Sequence, residues 1–238
     1  MSFLYFFRHG QAGPRDDYDT LSDTGRAQAR CLGEYLAAQP VRFSAVLSGG
    51  LRRQRETMEG VAEAYARAGI ELPAPAIDAG WDEFDLFGIY AQVAPRMCAE
   101  DPAFREAFEK ERQIAQSPDS RIHRQWTACD SALLHAWLDN RYQVEIESWP
   151  AFLERVRGNR QRIPVTSDGE AIAIFTSATP MSVWVASALE AGQHKIMRLT
   201  GAVYNSAMTV LRLQDGHLDL VTFNATPHLA APELRTLR

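Results

Sequence analysis

The chain has no apolar run long enough to cross a bilayer, since a spanning helix needs about 20 mostly apolar residues. Its N-terminus lacks a basic segment, and the apolar stretch beginning at Phe3 meets Arg8 too early for the core of a secretory signal. Cysteine is scarce. Cys31, Cys98 and Cys129 are odd in number, widely spaced and without metal-ligand spacing, which excludes a disulfide framework and reads as reduced, mostly buried thiols. There is no excess of basic charge: 25 Lys and Arg stand against 30 Asp and Glu, for a net charge of −5 and a pI of about 5.7. That balance argues against a nucleic-acid partner, which calls for a basic surface. Internal repeats and low-complexity segments are also missing. These absences lead us to expect a cytoplasmic protein with no membrane or nucleic-acid partner, no metal site and no cofactor. Oligomeric state is not legible.

What is present is ordinary globular material. The 238 residues are 46% hydrophobic, enough to bury a substantial core in one large α/β domain or two small ones. The most informative stretch is Phe3-Leu4-Tyr5-Phe6-Phe7-Arg8-His9-Gly10. An apolar run of strand length suits a strand buried on both faces. It ends in a cation, an imidazole and a glycine, at the rim where open α/β sheets bind ligands.

Two further strands end in the same manner. Residues 43–47 form an apolar run that turns out through Ser48-Gly49-Gly50 into a helix with Leu51, Gln54, Met58, Val61 and Tyr65 on one stripe. Arg52, Arg53 and Arg55 crowd the first turns of that helix, where cations oppose the helix dipole. Two readings are open: all three are solvated, or one faces an anion held at the positive helix end. Residues 171–176 are a third buried strand, followed by Ser177-Ala178-Thr179-Pro180. Thr179 as N-cap with Pro180 at the first helical position predicts a helix over 181–190.

Between these landmarks the chain reads as follows. A polar loop covers 11–20, and a helix capped by Ser22 runs to about Ala38 before Pro40. Residues 70–78 suggest an edge strand or connector. An acidic turn follows at Gly80-Trp81-Asp82-Glu83-Phe84-Asp85. Residues 87–149 are helical in character, with helices over 102–116 and 126–138 and a basic cluster at Arg121, His123 and Arg124. This insertion either caps the site or is structural padding. A further helix covers 148–161, and strands over 207–213 and 218–223 meet in a hairpin at Asp215-Gly216.

Adjacent strand ends in a twisted sheet converge on one crevice. The expected fold is therefore α/β, with three α/β/α layers, a mostly parallel central sheet and the helical insertion capping the site. Convergence brings Arg8, His9, Arg53 and Ser177 together around a place suited to a dianionic phosphoryl group, whose oxygens match guanidinium donors.

The ordered motifs Arg8-His9-Gly10, Leu21-Ser22-Asp23-Thr24-Gly25, Ser48-Gly49-Gly50-Leu51-Arg52-Arg53, Trp81-Asp82-Glu83-Phe84-Asp85, Glu147-Ser148-Trp149, Asn205-Ser206-Ala207 and Phe223-Asn224-Ala225-Thr226-Pro227-His228 resemble the histidine phosphatase superfamily, which includes the cofactor-dependent phosphoglycerate mutases. The resemblance spans nearly the whole chain except the insertion and implies a single domain over 1–238, with the insertion at about 87–149. It implies that His9 is transiently phosphorylated, that Arg8 and Arg53 hold phosphoryl oxygens, and that a carboxylate of the acidic turn protonates the leaving group. Glu83 occupies that place, with Asp82 and Asp85 as alternatives. The implied substrate is a phosphorylated small molecule or a phosphoprotein. One departure stands out: the family's second histidine falls on Ser177 here. Losing one preorganised donor costs on the order of a hundredfold in rate. The same departure leaves open a non-catalytic or weakly active phosphoryl-binding protein.

Overall fold

A computed structural model describes residues 1–14, 17–115, 127–164 and 167–237. The chain divides into two compact units, one of Met1–Glu83 with Val156–Arg238 and the other of Phe84–Arg155. Among the described residues no helix is long and apolar enough to cross a membrane.

The first unit is built on β1 (Ser2–Arg8), β2 (Phe43–Ser48), β3 (Pro75–Ile77), β4 (Ala171–Thr176), β5 (Met208–Gln214) and β6 (His217–Ala225). They form one mixed sheet in the order β3-β2-β4-β1-β5-β6. The β1–β4, β2–β4 and β2–β3 pairs are parallel, whereas β5 pairs antiparallel with β1 and with β6. This is the mostly parallel α/β sheet expected. β4 is buried along its full length, as its unbroken apolar run requires of a central parallel strand. The edge position of β3 suits its proline. At the hairpin, Asp215 and Gly216 have φ of 49° and 82°, the two left-handed residues of a type I′ turn.

Helices α1 (Asp23–Ala37) and α2 (Arg52–Arg67) follow β1 and β2. The Ser22 hydroxyl accepts the Gly25 N–H and caps α1. The α2 stripe of Met58, Val61 and Tyr65 joins Leu32, Leu36, Phe43, Val46 and Phe7 in one buried cluster. In the second unit lie α3 (Leu86–Glu100), α4 (Pro102–Ala115) and α5 (Ala128–Leu138), and α6 (Trp149–Gly158) continues into a 3-10 turn at Asn159–Arg162. Helix α3 is absent from the sequence reading, and Pro95 lies inside it. The Arg121, His123 and Arg124 cluster and the helix ends at 116 and 126 lie outside the described residues.

One helix start is corrected. Helix α7 (Ala178–Ala188) begins before Thr179, with Ser177 as N-cap in an extended conformation. Thr179 and Pro180 are both inside its first turn, where backbone donors have no helical acceptor and a proline loses nothing. A short α8 (Ile196–Thr200) follows. The cysteines are all free thiols, but only Cys129 is buried; Cys31 and Cys98 are partly exposed.

Candidate active site

The β1 end supplies the imidazole. The His9 amide donates to Thr176 O at 2.9 Å, so the nucleophile candidate leaves the sheet still tied to β4. Its Nδ1 lies 2.7 Å from Gly10 O. A carbonyl only accepts, so Nδ1 carries the proton and Nε2 keeps its lone pair. Gly10 N–H in turn donates to Thr57 Oγ1 on α2 at 2.9 Å. A Cβ on Gly10 would run into the Gly25 carbonyl, which accounts for glycine at this close backbone approach. The His9 carbonyl accepts from Ser206 N at 3.1 Å.

Both arginines expected to hold phosphate come to this imidazole. Arg8, His9 and Arg53 are each less than a tenth exposed. Burial first, then the Arg53 and Arg8 guanidiniums, push His9 well below the ordinary imidazole range, opposed by its bond to Gly10. His9 is therefore neutral near pH 7. Arg53 Nε donates to His9 Nε2 at 3.3 Å. Of the three arginines in the first turns of α2, Arg53 alone turns inward, while Arg52 and Arg55 are exposed.

Arg53 has further partners that the sequence reading missed. Its Nη1 donates to Asp19 Oδ1 at 2.7 Å, and its guanidinium lies 5.1 Å from the centroid of the Tyr18 ring. Asp19 Oδ2 accepts the Arg52 N–H at the start of α2. No local pattern singles out one aspartate in the polar loop for this task. Arg8 is held from the other side, with Nη1 donating to the carbonyls of Val203 and, at 2.9 Å, Leu237.

The β4 end carries no cation. Ser177 is fully buried, and its Oγ accepts from Gln54 Nε2 at 2.9 Å. Thr179 Oγ1 is buried with no hydrogen-bond partner among the described residues. Glu83 Oε2 accepts the Thr179 N–H at 3.1 Å, so a carboxylate distant in sequence caps α7. That remote acceptor lets α7 start at Ala178 without a side-chain bond from Ser177. The rival acids are engaged elsewhere. Asp82 Oδ1 accepts from Gly50 N and Leu51 N, and Asp85 caps α3 through Gly88 N. Trp81 is buried against Phe6 and Trp184. His228 is buried and its Nε2 lies 2.8 Å from Ser206 Oγ; desolvation lowers its pKa to about 4.

An imidazole with its lone pair among arginines, at the carboxyl end of a parallel strand, sets the context for comparison with known proteins. The family model of the histidine phosphatase superfamily, branch 1, matches residues 4–127 and 117–226. The chain belongs to this superfamily. Its fold is similar to that of Bacillus stearothermophilus YhfR, with 18% identity, a TM-score of 0.64, and coverage of 96% of this chain and 100% of that one. It is also similar to the alpha-ribazole phosphatase from Shigella flexneri, with 18% identity, a TM-score of 0.59, and coverage of 94% and 96%. For the phosphoglycerate mutase from Bacillus anthracis the identity is 17%, the TM-score 0.56, and the coverage 96% and 95%. A search of curated protein sequences finds no match to the chain. Within the superfamily, the residues carried over from the motifs, Arg8, His9, Arg53 and Glu83, all lie in the first unit, as does Ser177.

Proposed function

We propose that the chain is a phosphatase that hydrolyses a phosphomonoester or a phosphorylated protein through a phosphohistidine formed on His9. The observation that carries this reading is the state of His9: a neutral imidazole whose Nδ1–H is fixed on Gly10 O. That bond aims the basic Nε2 at the place where Arg8 and Arg53 concentrate positive charge.

In the first step Nε2 attacks phosphorus in line as the ester P–O bond breaks. Glu83 gives its proton to the leaving oxygen. Arg8 and Arg53 offset the charge on the equatorial oxygens. The Gly10 carbonyl stabilises the ring as it takes on positive charge. In the second step water attacks phosphorus, the N–P bond breaks, Glu83 recovers a proton from the water, and inorganic phosphate leaves.

The serine at position 177 favours a second reading, a phosphoryl-binding protein with little turnover. The two separate cleanly with a generic aryl phosphate. The phosphatase reading expects phosphate release that His9→Ala abolishes. Undiminished release in that variant would sink the mechanism, and tight phosphate binding with no release by the unaltered protein would support the binder.

A further inference from the structure

We infer that Gln54 is a positioning residue that fixes the Ser177 hydroxyl as a hydrogen-bond donor to the phosphoryl group, an inference that rests on the phosphatase reading. Ser177 stands beside His9: Arg8 and Thr176 are register partners at the ends of β1 and β4, and the next residue of each strand is His9 and Ser177.

The orientation of the Gln54 amide follows from its partners. Leu51 N–H only donates, so the atom 3.3 Å from it is Oε1. The Trp81 carbonyl only accepts, so the atom 3.2 Å from it is Nε2. Nε2 therefore donates to Ser177 Oγ at 2.9 Å. A serine hydroxyl that accepts this bond has its proton turned away from Gln54 and available to another acceptor. The amide cannot slip aside, because Gln54 is fully buried. A Cβ on Gly49 would overlap Gln54 Oε1, so the glycine makes room for it.

The other hydrogen-bond partners of Gln54 each have a second partner. The Trp81 carbonyl has a second donor in Thr176 Oγ1 at 2.6 Å, and Leu51 N–H has a second acceptor in Asp82 Oδ1 at 3.3 Å. Among the described residues the Ser177 hydroxyl has Gln54 alone. The same turn of α2 thus sends Arg53 to His9 and its neighbour Gln54 to Ser177. Sequence reading placed Gln54 on the buried stripe; its only warning was an amide among apolar residues.

A double-mutant cycle on the full chain tests this, with aryl phosphate turnover and orthovanadate affinity as readouts and unfolding midpoints as a fold check. Ser177→Ala should lower kcat about a hundredfold, as loss of one preorganised donor does. Gln54→Met should lower it about tenfold, and the double variant should match Ser177→Ala alone, because Gln54 acts only through the hydroxyl. Gln54→Glu offers the serine proton an acceptor and should approach the Ser177→Ala loss, which keeps the test alive if Gln54→Met folds poorly. Losses that multiply to about a thousandfold, or a Ser177→Ala variant with undiminished kcat, would overturn the inference. Failure of the phosphatase reading looks different: His9→Ala retains turnover, or the unaltered protein has none. In the latter case vanadate affinity still reports coupling between the two positions.

Discussion

The parallel neighbours β1 and β4 end side by side with opposite chemistry. At the β1 end the side chains are Arg8 and His9, joined by Arg53 of α2. At the β4 end they are Ser177 and Thr179, joined by Gln54 of the same helix turn, with Glu83 closing the N-terminus of α7. The charged end holds its imidazole neutral by burial and by the two guanidiniums. The end without a cation places a hydroxyl where the resemblance implies a second histidine. Positive charge concentrated at one strand end needs no second cation opposite it for a dianion to bind; it needs a donor that is already oriented, which a buried hydroxyl held by the Gln54 amide supplies without desolvating another cation.

The largest effect expected lies at the charged end. Arg53→Leu removes a buried guanidinium and should lower kcat/KM for an aryl phosphate about a thousandfold, or roughly 4 kcal/mol. A loss no greater than that of Ser177→Ala would make the two ends equal and break the comparison.

Next comes His228, linked through Ser206 to the His9 carbonyl. Its folded pKa of about 4 lies below the ordinary histidine value of 6.5, so the unfolded chain binds a proton that the folded chain refuses. The neutral buried ring costs nothing above pH 6.5, and stability is lost as pH falls from 6.5 toward 4, by about 3 kcal/mol if the full shift is expressed. Urea midpoints of the unaltered protein and of His228→Gln should diverge in pH dependence over that window. Parallel curves would remove His228 as the source.

At the β4 end, Glu83→Gln should slow alkyl phosphates, whose leaving groups need a proton, about a hundredfold while leaving nitrophenyl phosphate within a few-fold. Equal slowing of both would move the acid elsewhere.

The smallest effect comes from Asp19, whose carboxylate sits on Arg53 Nη1 and is half exposed. Under the proposed function an anionic substrate competes with it for that nitrogen. Asp19→Asn keeps the cap on Arg52 N–H but removes the charge, and should tighten inorganic phosphate binding by up to about fivefold, the range of a partly solvated pair. Weaker binding, measured by calorimetry, would mean that Asp19 orients Arg53 instead of competing for it.

The two ends also differ in how far the sequence revealed them. At the β1 end, Arg8 and His9 follow an apolar run and are visible as its terminus, and Arg53 is marked by its odd place at a helix start. Strands β1, β2 and β4 were legible for the same reason: continuous apolar runs bounded by turns. At the β4 end the decisive contacts join residues far apart in the chain. Glu83 reaches the Thr179 N–H across 96 positions and Gln54 reaches Ser177 across 123, so local capping rules put the start of α7 too late. Helix α3 escaped notice in the same way, since Pro95 inside it reads locally as a break. Asp19 lay in a loop whose pairing only the fold defines.

A phosphohistidine on His9 is a covalent species, and rapid quenching traps it. The protein is mixed with an aryl phosphate labelled in the phosphoryl group, quenched in base within milliseconds and digested for mapping. A base-stable, acid-labile phosphoryl group is expected on His9 and is absent from His9→Ala. A turning-over enzyme that carries no such label under these conditions, or carries it on another residue, would contradict the phosphohistidine mechanism.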